Sequence, residues 1–281
     1  MDWSNLQVLA VLSREGSLAG TARALGVNHA TVSRRISALE DDIGHGLIRR
    51  LARSTPLTQR GREIAAIAVE MEARVRKIER MTNLTEDGVS GIVRLSAPPA
   101  LISEDLILEI ASIGKSNPDL QLVLVADTQV TSLDRGEADI AVRLVEPAGK
   151  QNIIRKLGDI SYSLCGSREH VGLPPDSWRF IGFENSLAHT PQQKWLHEFA
   201  AGRPFHLISN NIHTQKAAAK RGLGLALLPD RIADRSEYLV RAGEQVPPSR
   251  TAWLVIHQDV AKTPAIRVVA DAIIRAFERQ K

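Results

Sequence analysis

Between Ser17 and Gly44 the chain is punctuated so closely that two helices and a short turn are the natural way to fold it. Ser17 is a favoured helix N-cap and opens Leu18-Ala19-Gly20-Thr21-Ala22-Arg23-Ala24-Leu25. Gly26 then stands where a left-handed residue closes a helix. After Val27, Asn28 offers a second cap, and HATVSRRISALEDDIG comes next. Within that segment Val32, Ile36, Leu39 and Ile43 recur at steps of four, three and four, which return to nearly the same helical azimuth and predict a buried stripe. The opposite face carries Ala30, Ser33, Arg34 and Ser37, with His29 and Arg35 at its flanks. Small residues permit close approach to a major groove about 12 Å wide, and a guanidinium can donate two bonds to guanine. A short helix, a turn of about three residues and a longer helix with such a face predict a helix-turn-helix. An ordinary helical hairpin with a solvated outer face is the other reading.

Charge distribution favours the first reading. The formal net charge of +4 is modest for 281 residues. Residues 1–62, however, hold nine arginines and no lysine against five acidic residues, so they carry the entire excess, while the remainder balances 27 basic against 27 acidic residues. A small basic head on a neutral body is expected when one domain meets a polyanion and the other does not. Past Gly44, HGLIRRLARSTPLT brings Arg49, Arg50 and Arg53 onto an extended stretch with a Ser-Thr-Pro turn, suited to a β-wing lying along phosphates. Thr58 then caps a helix expected from about Gln59 to Leu84. Ile64, Ile67, Met71, Val75, Ile78 and Met81 recur along it at steps of three or four, and this stripe calls for a partner, most economically a second copy of the chain.

The run LAVLSREGSLAGTARALGVNHATVSRRISALEDDIGHGLIRR, followed by PLTQRGREIAA, resembles the LysR-type transcriptional regulators, and a looser likeness extends over nearly the whole chain. The resemblance implies a winged helix-turn-helix over 1–58, a linker helix over 59–87 that forms a homodimer or homotetramer, and an α/β effector-binding domain over 88–281. It implies DNA contacts from His29, Ala30, Thr31, Ser33, Arg34 and Arg35 on the third helix and from Arg50 and Arg53 in the wing. Two departures stand out. His29 occupies a position often held by glutamine, so the half-site cannot be borrowed from a relative. Ile48 replaces the usual phenylalanine where the wing begins, which should change packing only.

After the polar hinge Thr85-Glu86-Asp87-Gly88 the pattern alternates. Strand-like runs occur at Gly91–Ala97, Leu120–Ala126, Asp139–Arg143, Ser161–Cys165, Phe180–Phe183, Leu225–Leu228 and Ala252–His257. Helical stretches lie between several of them, at Ser103–Ile113, Gln192–Ala200 and Thr214–Arg221. This predicts an α/β fold with mostly parallel strands and a ligand beyond their carboxyl ends. The resemblance implies two lobes like those of periplasmic binding proteins, the first over about 91–160 and 264–281, the second over about 161–263. It places a small-molecule effector between them, near Ser96, Pro98, Pro99, Ala100, Thr128, Arg143, Asn211 and His213. Many relatives have hydroxyl residues after the first strand, where amide and hydroxyl donors hold a carboxylate. Here two prolines remove two amide donors, and the polar contacts fall to Arg143, Thr128 or His213. Arg143 could instead pair with an acid or end a strand in solvent, His213 could simply start a helix, and Thr128 could cap one.

The single cysteine, Cys165, excludes an internal disulfide and a cysteine-built zinc site. It sits in an apolar run and reads as core. Eight histidines lack ligand spacing, no catalytic constellation is legible, and no cofactor or metal is expected. No run approaches the roughly 18 apolar residues that span a bilayer, and the acidic start MDWSN does not resemble a secretion signal, so a cytoplasmic location is expected. Two other function classes remain for such a chain: a small-molecule receptor, or an enzyme using the α/β cleft, each with the N-terminal helices as a dimerisation module.

Overall fold

The computed structural model describes residues 1–49, 51, 54–83, 89–102, 104–126, 138–147 and 152–279. They form two compact units, one built on residues 1–82 and one on the rest of the chain.

The first unit packs α1 (Trp3–Glu15), α2 (Leu18–Leu25) and α3 (His29–Ile43) against the start of a long helix, α4 (Gln59–Asn83). The caps fall where the sequence asks for them. The Ser17 hydroxyl accepts from the Gly20 amide at 3.1 Å and the Asn28 side chain from the Thr31 amide at 2.7 Å. Gly26 closes α2 at a φ of 63°, a conformation costly for any residue bearing a Cβ. Val32, Ile36 and Leu39 are fully buried beside Leu9, Leu12 and Leu47. Burying a side chain of this kind contributes about 1.5–3 kcal/mol, so this small cluster is the main source of cohesion in the head.

The wing is tied to the helices by polar bonds. Ile48 and Leu57 form an antiparallel bridge, the Arg49 amide donates to the Pro56 carbonyl at 2.8 Å, and Ile48 packs on the head core. One oxygen of Glu40, from α3, accepts the amides of Leu47 at 2.7 Å and Ile48 at 3.2 Å. Arg50 and Arg53 lie outside the described residues.

The helix α4 has two working faces. Ala65 and Ala68 are buried against the head, and Glu72, 6% exposed, accepts from the Arg14 guanidinium at 2.7 Å. The expected apolar stripe lies elsewhere. Ile67, Met71 and Ile78 are 58, 38 and 63% exposed, Ile64 and Val75 are half-buried, and the side chain of Met81 lies outside the described residues.

The second unit contains two five-stranded sheets. The first has the order β2-β1-β3-β10-β4 and the second β7-β6-β8-β5-β9. The first sheet comprises β1 (Gly91–Ala97), β2 (Leu120–Ala126), β3 (Ile140–Arg143), β4 (Asn152–Ile160) and β10 (Arg250–His257). It is flanked by α5 (Glu104–Ser116) and α10 (Pro264–Glu278). The second comprises β5 (Tyr162–Gly166), β6 (Phe180–Gly182), β7 (Phe205–Ile208), β8 (Leu225–Pro229) and β9 (Val240–Arg241). Its helices are α6 (Arg168–Val171), α7 (Pro191–Ala200), α8 (Ile212–Lys220) and α9 (Asp230–Ala233).

Two expectations are corrected. Both sheets are mixed, with β5 antiparallel to β8 and β10 antiparallel to β3 and β4. The cause is the path of the chain: it crosses between lobes at Ser161 and again before Arg250. Each crossing strand starts at the cleft, where the parallel strands end, and must run the opposite way. For the same reason β10 belongs to the first sheet, paired Arg250 to Ile160, so the second lobe ends near residue 249 and not 263. No described helix is long and apolar enough to cross a membrane.

Gly61 is the tightest joint in the head. A Cβ there would fall 2.0 Å from the Leu47 carbonyl oxygen, while Thr58 caps the same turn, accepting from the Gly61 amide at 3.0 Å. Gly61→Ala should therefore destabilise the head by about 1–3 kcal/mol, the usual range for overpacking. Gly46→Ala, where the nearest atom is 3.9 Å away, should change little. Thermal melts of the two full-length variants, followed by circular dichroism, separate the outcomes; equal melting would show that the joint yields.

Candidate functional sites

The first unit presents one face with the composition of a contact surface. On α3, His29, Ala30 and Arg34 are exposed, and Thr31, Ser33, Arg35 and Ser37 are half-buried. Val32 and Ile36 anchor the other side of the same turns in the core, which fixes the direction of the polar face. Charge is segregated along this helix: Arg34 and Arg35 lie in its first half, whereas Glu40, Asp41 and Asp42 lie in its last turn. Glu40 is consumed by the wing amides and Asp42 faces the chain's amino group at 3.4 Å. The exposed end is thus locally cationic, and Arg23 on α2 and Arg49 in the wing are exposed too. A convex, cationic helix face with a small residue at its centre can enter a groove and reach both phosphates and base edges.

The second unit holds a cavity of about 320 Å³ between its lobes. The first lobe contributes Pro98, Pro99 and Ala100 after β1, Arg143 to Pro147 after β3, and Arg250 at the start of β10. The second contributes Tyr162, Phe183, Leu187, Thr190, Gln192, Asn210, Ile212 and Pro229. All these strand ends converge because both sheets point their parallel strands at the cleft, the usual place for a ligand in such sheets.

Of the effector positions expected from sequence, Pro98, Pro99, Ala100 and Arg143 line this cavity. Ser96 lies beneath it, fully buried. Asn211 is the N-cap of α8, its side-chain oxygen accepting the amides of His213 at 2.9 Å and Thr214 at 3.2 Å; its neighbours Asn210 and Ile212 line the cavity instead. His213 is exposed and outside the lining, and Thr128 falls outside the described residues. Of the alternatives read from sequence for Arg143, burial speaks against a solvated strand end, and its described bonds join strand ends. The guanidinium is buried, and donates to the carbonyls of Ser96 at 3.1 Å and Val142 at 2.9 Å and to the Ser96 hydroxyl at 3.2 Å.

Three polar groups in the lining were not legible in the sequence. Arg250 donates to the Leu144 carbonyl at 3.2 Å, and burial pushes its pKa down, the nearby Tyr162 phenol opposing. Burial pushes the Tyr162 hydroxyl up, against the nearby Arg250 and Arg231, so it stays protonated and able to donate. Gln192, 3% exposed, donates through Nε2 to the Pro248 carbonyl at 2.9 Å, which fixes the orientation of the amide; its Oε1 is buried and has no donor among the described residues. A buried acceptor in that state costs about 1–3 kcal/mol. The only local signal for these residues was an arginine opening the strand-like run RTAWLVIH and a tyrosine opening YSLCG. Among the described residues, no three His, Cys, Asp or Glu side chains cluster to hold a metal ion.

Comparison with known proteins agrees with this division. A family model described as the LysR substrate binding domain matches residues 86–278, and one described as bacterial regulatory helix-turn-helix protein, lysR family, matches residues 3–62. The Mau operon transcriptional activator of Paracoccus denitrificans is 25% identical over 276 residues, covering 96% of this chain and 95% of its own. The full-length structure of the Vibrio cholerae virulence activator AphB, a member of the LTTR protein family, has 21% identity and a TM-score of 0.66, and covers 98% of this chain and 99% of its own. Full-length CbnR complexed with its target DNA has 17% identity and a TM-score of 0.61, and covers 98% of this chain and 100% of its own. At these identities the structures speak for the fold alone.

Cys165 sits in β5, 1% exposed, and burial pushes its thiol up to about 12. The thiolate is the reactive form, so at pH 8 the folded chain should not react with Ellman's reagent, and one thiol should appear only after urea is added. Rapid labelling of the native chain would mark Cys165 as an accessible, activated thiol.

Proposed function

We propose, from the premise that this chain belongs to the LysR family of bacterial helix-turn-helix transcription regulators, that α3 and the wing read a dyad-related promoter site and that the interlobe cavity senses the effector. The chain is a DNA-binding transcription regulator with an effector-binding domain. In our reading His29, Ala30, Thr31, Ser33, Arg34 and Arg35 enter the major groove, and Arg50 and Arg53 follow the phosphates. The effector lies against Pro98, Pro99, Ala100, Arg143 and residues of the second lobe. We divide the chain into a reading head over 1–58, a pairing helix over 59–87 and a sensor over 88–281, whose first lobe takes 91–160 and 250–281.

One observation carries the proposal: the exposed face of α3 combines a small residue, hydrogen-bonding side chains and arginines with no acidic partner among the described residues, on a helix anchored by its own buried stripe. Support also comes from the relative captured on its target DNA. The exposed Ile67, Met71 and Ile78 on α4 favour a homodimer, or a homotetramer assembled from two, in which two heads share one site. Effector binding would then shift the population between two spacings of the heads. We place the protein in the cytoplasm, where promoter DNA and metabolites meet, and assign it binding work, with no catalytic residue.

Fluorescence anisotropy of the full chain on the intergenic DNA upstream of its own gene tests this. Specific binding should exceed that to random duplex by about tenfold or more at physiological salt; equal affinity overturns the proposal. Arg34→Ala should cost about 1–3 kcal/mol of discrimination. Arg50→Ala should instead weaken binding to all duplexes alike and reduce the slope of log affinity against log salt by about one.

A further inference from the structure

The lining of the interlobe cavity specifies the chemistry of the effector, an inference that rests on the reading of that cavity as the effector site. Its walls are mostly apolar, from Pro98, Pro99, Leu144, Phe183 and Ile212. Its volume of about 320 Å³ corresponds to roughly ten waters of liquid, enough for a small branched or phenyl-bearing molecule and too small for a nucleotide with a chain of phosphates.

Two guanidiniums line this space, and they differ. Arg143 is engaged three times over with the Ser96 and Val142 backbone and the Ser96 hydroxyl, so it holds β1 and β3 together at the cavity floor. Arg250 has a single described acceptor, the Leu144 carbonyl, for its five donors. Among the described residues it has no carboxylate partner, and its burial disfavours the charge it must carry. An anionic ligand would supply what the protein withholds. The donors at hand suit a carboxylate, whose two oxygens match one edge of a guanidinium. Two prolines remove amides at the turn after β1, and Asn211 occupies the first amides of α8, so neither segment offers the amide cradle on which a phosphate usually rests. The exposed carboxylate of Glu146 at the cavity's edge weighs against a second negative charge on the ligand.

Gln192 supplies the other half of the specification. Its Nε2 is fixed on the Pro248 carbonyl, and its buried Oε1 awaits a donor that no described residue provides. We infer that the effector is an apolar monocarboxylic acid bearing one N–H or O–H donor, such as a 2-hydroxy or 2-amino acid, with its carboxylate on Arg250 and its donor on Gln192.

The test uses the full-length protein and a panel of 2-hydroxy and 2-amino acids with branched aliphatic or phenyl side chains, each beside its primary amide, its decarboxylated amine or alcohol, and the acid lacking the 2-substituent. Thermal shift at millimolar ligand, followed by calorimetric titration, gives the ranking. At least one 2-substituted acid should raise the melting temperature, because binding stabilises the native state, while its amide and amine should bind about tenfold or more weakly. Arg250→Gln should remove that preference for the acid over its amide. Gln192→Met should remove the preference for the 2-substituted acid over the plain one and leave charge selectivity in place. Because Arg250→Gln could unfold the lobe, each variant's unliganded melting is measured, and the Gln192 variant provides the independent arm.

The inference is overturned if no acid in the panel binds, if amide or amine binds as well as the acid, or if acid selectivity survives Arg250→Gln in a folded protein. The two levels fail separately. A neutral or cationic member that binds and alters the DNA complex would sink the ligand class and leave the effector site standing. An acid that binds through Arg250 without changing DNA affinity or footprint would leave the ligand class standing and sink the regulatory reading.

Discussion

The sensor unit is organised around the cost of putting guanidinium groups where two lobes meet. A charged group removed from water must be repaid by bonds of good geometry, or it becomes the weakest point of the structure. Arg143 meets this condition internally: the carbonyls of Ser96 and Val142 and the Ser96 hydroxyl bind it, and β1 and β3 are thereby locked at their cleft ends. Arg250 meets it only in part. It opens the strand that re-enters the first sheet, directly opposite Ile160, the last residue before the chain leaves for the second lobe. One under-bonded cation therefore sits at the double crossover, the place where a small change of interlobe angle would be felt first. Other contacts also join the lobes, with the Arg231 guanidinium 4.7 Å from the Phe277 ring centre and Arg235 bonded to Asp105.

The head solves a different problem, that of aiming a helix with a very small core. Below about 70 residues a single core stabilises only weakly, so polar joints must carry direction. Glu40 binds two wing amides, Thr58 binds the Gly46 carbonyl, and the absence of a side chain at Gly61 lets α4 press against Leu47. The ion pair of Arg14 with Glu72 extends the grip along α4 for three further turns. Each of these contacts joins residues seven or more apart in sequence, and together they tie α3, the wing and the first half of α4 to one another.

What the sequence disclosed and what it hid divide along the same line. The caps at Ser17, Asn28 and Thr58 and the stripe Val32, Ile36, Leu39 were legible because they are local: a cap and its amide lie two or three residues apart, and a stripe is a property of one helix. The strand β4 was missed because it is exposed on much of its length and its pairing is broken by a register shift near Gly158, so its alternation is irregular. The small face of α4 was hidden because Ala65 and Ala68 are good helix formers anywhere, buried or not. The cavity was half legible. Pro98 to Ala100 and Arg143 end strands whose apolar runs point to a cleft, whereas Tyr162, Gln192 and Arg250 acquire meaning only from a crossover that joins residues about ninety apart, Ile160 with Arg250.

The charge of the chain takes its final sense from this contrast. Nine arginines in the first 62 residues produce a local excess, but charge alone would attract any polyanion, and affinity of that kind carries no sequence information. Selectivity requires that some cations be held where a rigid surface decides what they meet, as Arg34 is by the buried side of α3. Beyond residue 62 the sum is zero, yet the same logic operates on single groups. Arg143 joins two strands, while among the described residues Arg250 has one acceptor and Gln192 Oε1 no donor, so a domain of nearly balanced charge still specifies charge and hydrogen bonding at one point. Net charge marks which domain seeks DNA; the balance between bonded and under-bonded groups marks where each domain does its recognition.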